Sequence, residues 1–474
     1  MLARDEHIPT EEQAYILDLV KHTQGHLLIR AYAGTGKSAT LRMISLASQG
    51  PILYLVFSKA NKEEAEKEFP SHCAVKTFNG LGHGVWGKAT GKKLVIDRNK
   101  VRDIVGEILK ELPKGQRNEA WDNYWEVIAA VGMAKNIGYV PPSMTALRGL
   151  ATQEEFYARL EERPSALARS IIDAALQVSI KTAYQGLIDF DDQVYMSALF
   201  GGAFPSYPLV LVDEKQDLNP CNHVMLDKLR GSRLVGVGDD AQSIYAFRGA
   251  VPGGMYRFKS KFKAEEATLS VSFRCPEEVV KNAKWRVQDF KWVKPGGIVA
   301  SLGRLPTSEI ADDAAIICRN NAPLFALAFK LLATGRSVRV SGSDIGPKLV
   351  GIMRKLGDEN SRRGEVLGLI DSWLQAKLAK GSTTAEDMAA CMRIFAEQGE
   401  TLSQAVAYAS HLFKQTGKLQ LLTGHKAKGL EFDVVYHLDP QLIRQDQQDL
   451  NLRYVIQTRS AREYYEVQSE AIEW

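Results

Sequence analysis

Residues 31–38, AYAGTGKS, have the residue types and spacing of a loop that binds the phosphates of a nucleotide. Gly34 and Gly36 allow backbone N–H groups to curve around phosphate oxygens, and Lys37 supplies a point charge for the β and γ phosphates. The hydroxyl of Ser38 is a suitable ligand for Mg²⁺. These residues predict a site for ATP and a magnesium ion.

The segments on either side of this loop fit the interpretation, with one departure. An apolar run at 26–29 predicts a strand before the loop, and residues 37–47 predict a helix after it. The usual pattern begins with glycine, where this chain has Ala31. A glycine-rich loop leading into any helix is the alternative until a second motif is found. The loop residues expected to contact the nucleotide are Ala33, Gly34, Thr35, Gly36, Lys37, Ser38 and Ala39.

A second motif, DEKQD at 213–217, follows YPLVLV at 207–212, an apolar run typical of a buried parallel strand. In nucleoside triphosphatases a carboxylate at the end of such a strand holds Mg²⁺, which is the role expected for Asp213. The adjacent Glu214 is placed to orient or deprotonate the attacking water. Alone, the two carboxylates would indicate a solvated acidic turn. Together with residues 31–38 they indicate a nucleoside triphosphatase.

Composition restricts the class of protein. The chain has 474 residues, of which 45% are hydrophobic and 24% charged, so it predicts a soluble protein of two to four domains. It has neither a run of 18 apolar residues nor an apolar signal core at its start, which predicts a cytoplasmic protein without a membrane partner. The five cysteines form no C-x-x-C pair, so we expect buried thiols rather than disulfides or metal ligands. A net charge of +4 mildly favours a polyanionic partner.

The first predicted helix starts at Thr10, whose side chain is expected to cap it. Gln13 lies on the first turn of this helix. Its amide offers a donor and an acceptor side by side, which suits the edge of an adenine base. An exposed surface glutamine is equally consistent with the sequence.

Two further predicted strands, at 51–57 and 73–76, end in small polar residues and one aromatic residue. The segments that follow them are SKAN from Ser58 and TFNG from Thr77. Hydroxyl and amide groups together with an aromatic ring suit a phosphate backbone and one stacked base. Phe78 as an ordinary core residue is the alternative.

Residues from about 85 to 185 are expected to form a mostly helical insertion, after which the chain returns to the first domain. Trp121, Tyr124 and Trp125 are predicted to lie on one helix of this insertion. Basic residues near Trp86 suggest single-strand binding, with a solvated charged surface as the more common meaning. These basic residues are Lys88, Lys92, Lys93, Arg98, Lys100 and Arg102.

Another apolar strand, at 233–237, leads into GDDAQSIYAFRGA. Gln242 stands at the end of this strand beside the two phosphate motifs, where its amide can sense a γ-phosphate. Tyr245 and Phe247 follow it and can face a nucleic-acid track. A basic, aromatic stretch at 256–294 suggests either a DNA contact or an ordinary amphipathic surface.

The second half of the chain has an α/β pattern of its own, which predicts a second parallel sheet. The helical, charged segment between 346 and 417 interrupts this pattern. The predicted strands of the second half are at 314–318, 337–340, 419–422 and 433–437.

Ten motifs occur in the same order as in a known family, and on these residues the chain resembles a UvrD/Rep-type superfamily 1A DNA helicase. It looks most similar to the F-box DNA helicase branch and its phage relatives. The motifs are TEEQ from Thr10, AYAGTGKS from Ala31, VFSKAN from Val56, TFNGL from Thr77, DEKQD from Asp213, GDDAQSIYAFRGA from Gly238, LSVSFRCP from Leu269, ICRNNA from Ile317, TGHKAKGLEFDVV from Thr423 and LRYVIQTRSA from Leu452.

The resemblance implies an α/β fold with two RecA-like motor domains and helical insertions. Domain 1A would comprise residues 1–84 and 186–250, interrupted by insertion 1B at 85–185. Domain 2A would comprise residues 251–345 and 416–474. The segment 346–415 would be a reduced 2B-like insertion, which puts in doubt any function that needs a full 2B.

The resemblance also implies residue roles. Glu214 would be the catalytic base, Gln242 the γ-phosphate sensor, and Arg274 and Arg459 the arginines that reach the γ-phosphate together with Lys37. Further nucleotide contacts would come from Gln13 at the adenine, Tyr245, and Glu431 near the ribose. Ser38 and Asp213 would hold the metal. The residues expected to contact DNA are Phe57, Ser58, Thr77, Phe78, Asn79, Phe247, Arg248, Arg319, Asn321, Thr423 and His425.

The implied activity is ATP-driven movement along single-stranded DNA in the 3′ to 5′ direction, with one nucleotide bound between two motor domains. Unwinding in replication, recombination or repair would follow, at single-strand/duplex junctions and in the nucleoid of a bacterial or phage-infected cell. Partners could include single-strand binding protein or a recombinase. The alternatives are a translocase that strips bound proteins, and a DNA-sensing ATPase of a defence system. An RNA helicase is disfavoured only by the resemblance.

Overall fold

Two six-stranded sheets, one in each half of the chain, are the framework of the computed structural model, which describes residues 8–229, 231–341 and 345–473. The chain divides into a first unit, up to residue 31 and 36–269, and a second unit, 32–35 and from 270 onward. All strand pairs within the two large sheets are parallel. The predicted α/β class with two parallel sheets is confirmed.

The first unit contains eight strands and twelve helices among its described residues. The strands are β1 (Leu27–Ala31), β2 (Ile52–Val56), β3 (Cys73–Thr77), β4 (Val95–Ile96), β5 (Leu187–Ile188), β6 (Leu209–Val212), β7 (Arg233–Gly238) and β8 (Glu265–Leu269). The helices are α1 (Glu11–His22), α2 (Lys37–Ala47), α3 (Lys59–Glu68), α4 (Phe78–Thr90), α5 (Lys100–Glu111), α6 (Lys114–Asp122), α7 (Tyr124–Ile137), α8 (Gln153–Tyr157), α9 (Ala166–Tyr184), α10 (Phe190–Leu199), α11 (Pro220–Lys228) and α12 (Gly254–Phe262).

The large sheet of the first unit has the strand order β3-β2-β6-β7-β1-β8. Most of its strands are short apolar runs, with β8, EEATL, as an exception. Strands β2 and β6 are buried along their whole length, as expected for a parallel sheet covered on both faces. Parallel strands point their carboxyl ends to one edge, so the segments after β1, β2, β3, β6 and β7 lie along the same edge. All five segments were singled out in the sequence as carrying chemistry.

The first sheet extends further along the chain than predicted. The expected end of domain 1A at residue 250 is wrong, because β8 pairs with β1 from Leu27–Glu265 to Ala31–Leu269. The helix α12 precedes β8, and its Phe258 is part of the core of the first unit. The second unit therefore begins near residue 270 rather than at 251.

The insertion is helical, as predicted, but its boundary and two details differ. Helix α4 runs from Phe78 to Thr90, so the expected boundary between residues 84 and 85 falls within a helix. Trp121 lies on α6 whereas Tyr124 and Trp125 lie on α7, so they do not share one helix. Trp86 is 1% exposed and its indole N–H donates to the carbonyl of Ala183, which makes it a core residue rather than a base-stacking one.

Lys100, predicted to be either a DNA contact or a solvated surface residue, is neither. It is 2% exposed, and its ammonium group donates to Asp192 at 2.6 Å and to the carbonyl of Ser179 at 2.8 Å. Asp192 also pairs with the buried Lys135 at 2.8 Å, and Lys135 bonds Asp189. This buried charge cluster joins the insertion helices α5 and α7 to α10, which follows the insertion.

The second unit has its own sheet and a set of helices inserted between two of its strands. Its strands are β9 (Val271–Ser272), β10 (Lys291–Trp292), β11 (Ile298–Leu302), β12 (Leu305–Pro306), β13 (Ala315–Cys318), β14 (Val338–Val340), β15 (Leu419–Thr423), β16 (Phe432–Leu438), β17 (Ser460–Val467) and β18 (Ile472–Glu473). Its helices are α13 (Glu277–Ala283), α14 (Asn321–Ala333), α15 (Ile345–Leu356), α16 (Arg363–Ala379), α17 (Ala385–Gln398), α18 (Leu402–Leu412), α19 (Gly424–Ala427) and α20 (Gln447–Gln457).

The large sheet of the second unit has the order β11-β17-β16-β13-β15-β14. Four of its strands correspond to the predicted ones, whereas β11 and β17 were not predicted. Strand β11, IVASL, has no fully buried residue although four of its five residues are apolar. Helices α15 to α18 fill the segment between β14 and β15, as the helical pattern predicted.

All five cysteines are buried free thiols, as predicted. Within the described part of the chain, no helix is long and apolar enough to span a membrane.

The buried charge cluster yields a prediction for stability. Substituting Asp192→Ala leaves Lys100 and Lys135 buried without their shared carboxylate, and breaking a buried pair in this way costs about 3–5 kcal/mol of unfolding free energy. Urea unfolding of the purified protein measures the change. The control is Lys110→Ala, which removes an exposed ion pair with Glu107 and should leave the unfolding midpoint unchanged. Equal midpoints for all three proteins would contradict the prediction.

Candidate active site

The predicted phosphate-binding loop connects β1 to α2, as its sequence required. Gly34 and Gly36 adopt positive φ angles of 70° and 76°, which glycine accepts without strain. The first turn of α2 starts at Lys37, so its N–H groups face the loop. This is the geometry in which backbone N–H groups and the helix N-terminus attract a phosphate.

Lys37 and the carboxylates after β6 meet at the carboxyl edge of the first sheet. The ammonium group of Lys37 lies 2.7 Å from Oε1 of Glu214. Burial by itself lowers the pKa of Lys37, but the charges of Glu214, Asp213 and Asp239 raise it, and the net pKa is above its ordinary value. Lys37 is therefore a permanent cation at the edge of the sheet.

Asp213 is held in a fixed orientation. It is 5% exposed, and its Oδ1 accepts from the N–H of Glu214 at 2.9 Å while its Oδ2 accepts from the hydroxyl of Tyr54 at 3.1 Å. Burial and the charge of Glu214 raise the pKa of Asp213, whereas Lys37 opposes that rise. A nearby divalent cation would favour the ionised form further.

Glu214 has a backbone conformation that is rare for its residue type, with φ of 46°. This left-handed conformation turns the chain sharply from β6 into the short 3₁₀ helix Lys215–Asp217. Strained conformations of this kind concentrate at functional sites. Gln216 donates to Oε2 of Glu214, so the carboxylate contacts Lys37 on one side and Gln216 on the other.

The predicted γ-phosphate sensor Gln242 is linked to Glu214 by two residues that sequence reasoning did not single out. Gln242 donates to Oδ2 of Asp239 at 2.7 Å, and the N–H of Asp239 donates to Oε1 of Gln216 at 3.0 Å. Burial raises the pKa of Asp239 to about 6. Gln216 lies inside the DEKQD motif and Asp239 inside GDDAQS. Their positions in these motifs, rather than their residue types, are the sequence signal that could have identified them.

The donor set fits a magnesium ion that arrives with a nucleotide. Ser38 and Asp213 supply one hydroxyl and one carboxylate, and Mg²⁺ prefers such a partial oxygen set completed by phosphates and water. Among the described residues, no cluster of three or more His, Cys, Asp or Glu side chains could form a metal site from protein alone.

Gln13 is not an exposed surface residue, because it has no solvent-exposed area. Its Oε1 accepts from the N–H of Thr10 at 3.0 Å, and its Nε2 donates to Thr40 at 3.1 Å. Thr10 caps α1, as predicted. Contact with adenine stays a prediction. It would use the second amide hydrogen of Gln13, which neither of these two hydrogen bonds uses.

Three aromatic rings form a row at the ends of β2 and β7. Phe57 stacks on Tyr245 with 6.1 Å between ring centres and 4° between ring planes, and Tyr245 contacts Phe247 edge-on at 6.0 Å. The guanidinium of Arg248 lies 5.0 Å from the Tyr245 ring and 5.5 Å from the Phe247 ring. Phe57 is 40% exposed and Phe247 57% exposed. Tyr245, predicted as a nucleotide contact, packs in this row, and its contact with nucleotide stays a prediction.

The small polar residues after β2 and β3 act as helix caps. Ser58 accepts from the N–H of Asn61 at 3.1 Å, and Thr77 accepts from the N–H of Gly80 at 3.0 Å. Phe78 is 5% exposed and lies in the core of the first unit, so its predicted contact with DNA is corrected to a packing role.

Next to these caps lies an exposed aromatic residue that the sequence did not single out. Asn79 donates to the carbonyl of Phe190 at 2.6 Å. Phe190 is 46% exposed, with Arg98 5.5 Å from its ring centre. A lone phenylalanine at the start of a helix gives no signal of exposure, because only the tertiary fold decides which side of α10 is covered.

Both predicted arginine fingers lie in the second unit. Arg274 pairs with Glu431, the predicted ribose contact, at 2.7 Å. Arg459 is 2% exposed and donates to the carbonyls of Val455 at 2.9 Å and Leu430 at 3.2 Å. Arg274 donates to Glu431 through Nε, whereas Arg459 uses Nε, Nη1 and Nη2 for protein acceptors, and the role of both as arginine fingers stays a prediction.

The predicted DNA contacts of the second unit are less accessible than expected. Arg319 pairs with Asp449, and Asn321 donates to Asp387 at 3.1 Å. Asp387 also accepts from the backbone of Asn321 at 3.2 Å and so ties α14 to α17. Thr423 is 8% exposed, whereas His425 is partly exposed at the start of α19.

Lys215, directly after Glu214, is buried beneath the site. Its ammonium group lies 3.3 Å from Nδ1 of His223 and 3.5 Å from the carbonyl of Gly254, with the Phe258 ring centre at 5.3 Å. Burial lowers the pKa of Lys215 to about 7 and the pKa of His223 to about 3. The pair therefore carries little charge above neutral pH.

Comparison with known protein families shows a match to the UvrD/REP helicase N-terminal domain over residues 13–263. That range contains the phosphate loop, the carboxylates, Gln242 and the aromatic row, and it ends before Arg274 and Arg459.

Curated relatives match more of the chain at low identity. F-box DNA helicase protein 1 of Schizosaccharomyces pombe is 24% identical over 90% of this chain and 52% of its own length. F-box DNA helicase 1 of Gallus gallus is 25% identical over 91% of this chain and 44% of its own. The ATP-dependent DNA helicase PcrA of Leuconostoc citreum is 25% identical over 56% and 37%. The chain thus spans about half the length of the curated relatives it matches.

The burial of Lys215 predicts a pH-dependent stability. Its pKa in the folded protein, about 7, lies below the ordinary value of 10.5, so the unfolded chain binds more protons between these pH values. Stability therefore rises with pH through this window, and the cost of Lys215 is greatest at pH 7 and below, with an upper bound of about 5 kcal/mol. Lys215→Met should raise the free energy of unfolding at pH 7.

Urea unfolding of both proteins at pH 7 and pH 9.5 measures this difference. The gain from Lys215→Met should shrink at the higher pH, whereas Lys59→Met at an exposed position should change neither value. A gain that is equal at both pH values would show that Lys215 is charged in the folded protein.

Proposed function

Because the chain belongs to the UvrD/REP helicase family, we propose that it is an ATP-dependent DNA helicase that moves along single-stranded DNA. The observation that carries this proposal is the meeting of Lys37 and Glu214 at 2.7 Å, with Asp213 beside them, at the carboxyl edge of the first sheet. A cation, a metal-binding carboxylate and a second carboxylate at the end of a phosphate loop are the groups that nucleotide hydrolysis requires.

The residues of the site have separate roles in the proposed hydrolysis of ATP. The loop N–H groups and Lys37 hold the β and γ phosphates, which frees Glu214 from its ion pair to orient the attacking water. Gln216 keeps the Glu214 carboxylate in place while Lys37 exchanges partners. A magnesium ion on Ser38 and Asp213 would neutralise phosphate charge. Arg274 and Arg459 stay the predicted arginine fingers of this reaction.

The bond chain from Glu214 through Gln216 and Asp239 to Gln242 supports a link between hydrolysis and DNA. Three residues beyond Gln242 the aromatic row begins, and its exposed Phe57 and Phe247 offer faces on which bases can stack. Arg248 adds a cation beside the same rings. A change at the γ-phosphate can therefore be passed along these bonds to Gln242, which is followed by the row in the chain.

The test is steady-state ATP hydrolysis with and without single-stranded DNA, combined with strand separation on duplexes that carry a 3′ or a 5′ tail. We expect hydrolysis stimulated by single strands and unwinding from the 3′ tail. Lys37→Ala removes the cation that contacts the phosphates, so it should abolish hydrolysis and unwinding while DNA binding persists. Lys67→Ala, at an exposed lysine on α3 outside these motifs, is the control and should behave as the unsubstituted protein.

Other outcomes would redirect the proposal. Stimulated hydrolysis without strand separation would favour a translocase that strips proteins, and hydrolysis indifferent to DNA would favour a nucleotide switch. Full turnover by Lys37→Ala would remove the phosphate loop from the mechanism altogether.

The aromatic row predicts the source of single-strand affinity. Phe247→Ala removes one exposed stacking face, and stacking on an aromatic side chain contributes about 1–3 kcal/mol per base, so affinity should fall about 5-fold to 150-fold. Fluorescence anisotropy of a labelled oligonucleotide measures it. Tyr15→Ala removes an equally exposed ring on α1 and should not alter affinity. If both variants bind alike, the row is not part of the track.

A further inference from the structure

Tyr32, the second residue of the phosphate-binding loop, has a side chain that no step of the proposed mechanism uses. It is 7% exposed, and its hydroxyl donates to Oδ1 of Asp289 at 2.7 Å. Its ring packs edge-on against Phe290 with 5.9 Å between centres. Residues 32–35 belong to the second unit, so these contacts lie within that unit.

The backbone of the same loop residues is bound to one neighbouring segment. Ser272 donates to the carbonyl of Ala33 at 3.0 Å, and the N–H of Phe273 donates to the carbonyl of Gly34 at 2.8 Å. A side chain at position 34 would meet Cβ of Arg274 at 2.5 Å, so the loop and this segment are in direct contact. The loop carbonyls thus point toward 272–273, which orients the loop N–H groups away from that side.

Asp289 is tied to the segment that carries Arg274. Strand β10 begins two residues after Asp289, and it pairs with β9 through Lys291–Val271 and Trp292–Ser272. Arg274 follows β9 by two residues. The Tyr32 hydroxyl is therefore linked to the segment that carries Arg274, first by its bond to Asp289 and then by the pairing of β10 with β9.

We propose that Tyr32 is a positioning residue, whose hydrogen bond to Asp289 sets loop residues 32–35 against the segment of the same unit that carries Arg274. This inference rests on the proposed ATP hydrolysis. Lys37 and the start of α2 hold the phosphates through β1 and α2, which do not depend on Tyr32. Loss of the bond should therefore lower the rate of the chemical step more than the affinity for nucleotide.

The experiment measures kcat and KM for ATP in the presence of single-stranded DNA, together with binding of a non-hydrolysable ATP analogue. Tyr32→Phe deletes only the hydroxyl and should lower kcat about tenfold, with KM and analogue affinity within about twofold of the unsubstituted values. Asp289→Ala, at an exposed position, should reproduce the loss, and the double variant should lose no more than either single one.

Two controls separate positioning from general destabilisation. Asp289→Asn keeps an oxygen acceptor for the Tyr32 hydroxyl and should retain most of kcat. Tyr465→Phe removes another tyrosine-to-carboxylate bond of the second unit, from Tyr465 to Glu463 at 3.0 Å, and should leave kcat unchanged.

The outcomes are distinct. Unchanged kcat in Tyr32→Phe and Asp289→Ala, or losses that add in the double variant, would overturn the inference and leave the proposed function intact. Equal losses of kcat and analogue binding would show a merely structural role and overturn it as well. Absence of ATP hydrolysis in the unsubstituted protein would reject the proposed function and this inference together.

Discussion

The compensation of charge between Lys37 and the carboxylates after β6 is the constraint on which the nucleotide site depends. Three acidic groups, Glu214, Asp213 and Asp239, are gathered at one edge of a sheet, and each is largely shielded from water. Burial raises the pKa values of Asp213 and Asp239, and the charge of Lys37 opposes that rise at both residues. The strand order β6-β7-β1 brings the three motifs together, so the site requires the parallel sheet.

Hydrogen bonds from short polar side chains fix the loops at the same edge. Ser58 and Thr77 cap α3 and α4 through their own hydroxyls, and Thr10 caps α1 in a reciprocal bond with Gln13. A capping side chain contributes about 1 kcal/mol and fixes the angle at which the helix leaves the strand. Residues predicted from the sequence to contact DNA or adenine thus also stabilise the starts of these helices.

The buried lysines of the first unit differ in how burial and pairing with carboxylates shift their pKa values. Lys100 and Lys135 share the carboxylate of Asp192 and remain paired ions between insertion and core. Lys215 has only the ring nitrogens of His223 and a carbonyl within bonding distance among the described residues, and burial lowers its pKa to about 7. Against the effect of burial, pairing with Asp192 and Asp189 raises the pKa of Lys135, whereas burial lowers the pKa of Lys100 although Asp192 opposes the shift. Lys215 has no carboxylate at bonding distance in the described part of the chain, and its lower pKa lets the charge be lost near neutral pH.

The sequence by itself determined the parts whose signal is local. Residue types at fixed spacing predicted the phosphate loop and the acidic pair, and apolar runs predicted most strands, because a buried parallel strand and a glycine-rich turn each need particular residues in sequence. Only the tertiary structure decided burial and pairing between distant segments. It placed β8 in the first sheet, buried Phe78 and Lys100, exposed Phe190, and joined Tyr32 to Asp289 across 257 positions. The physical reason is that a side chain's exposure and partners depend on what packs against it, and that packing is contributed by residues far away in the chain.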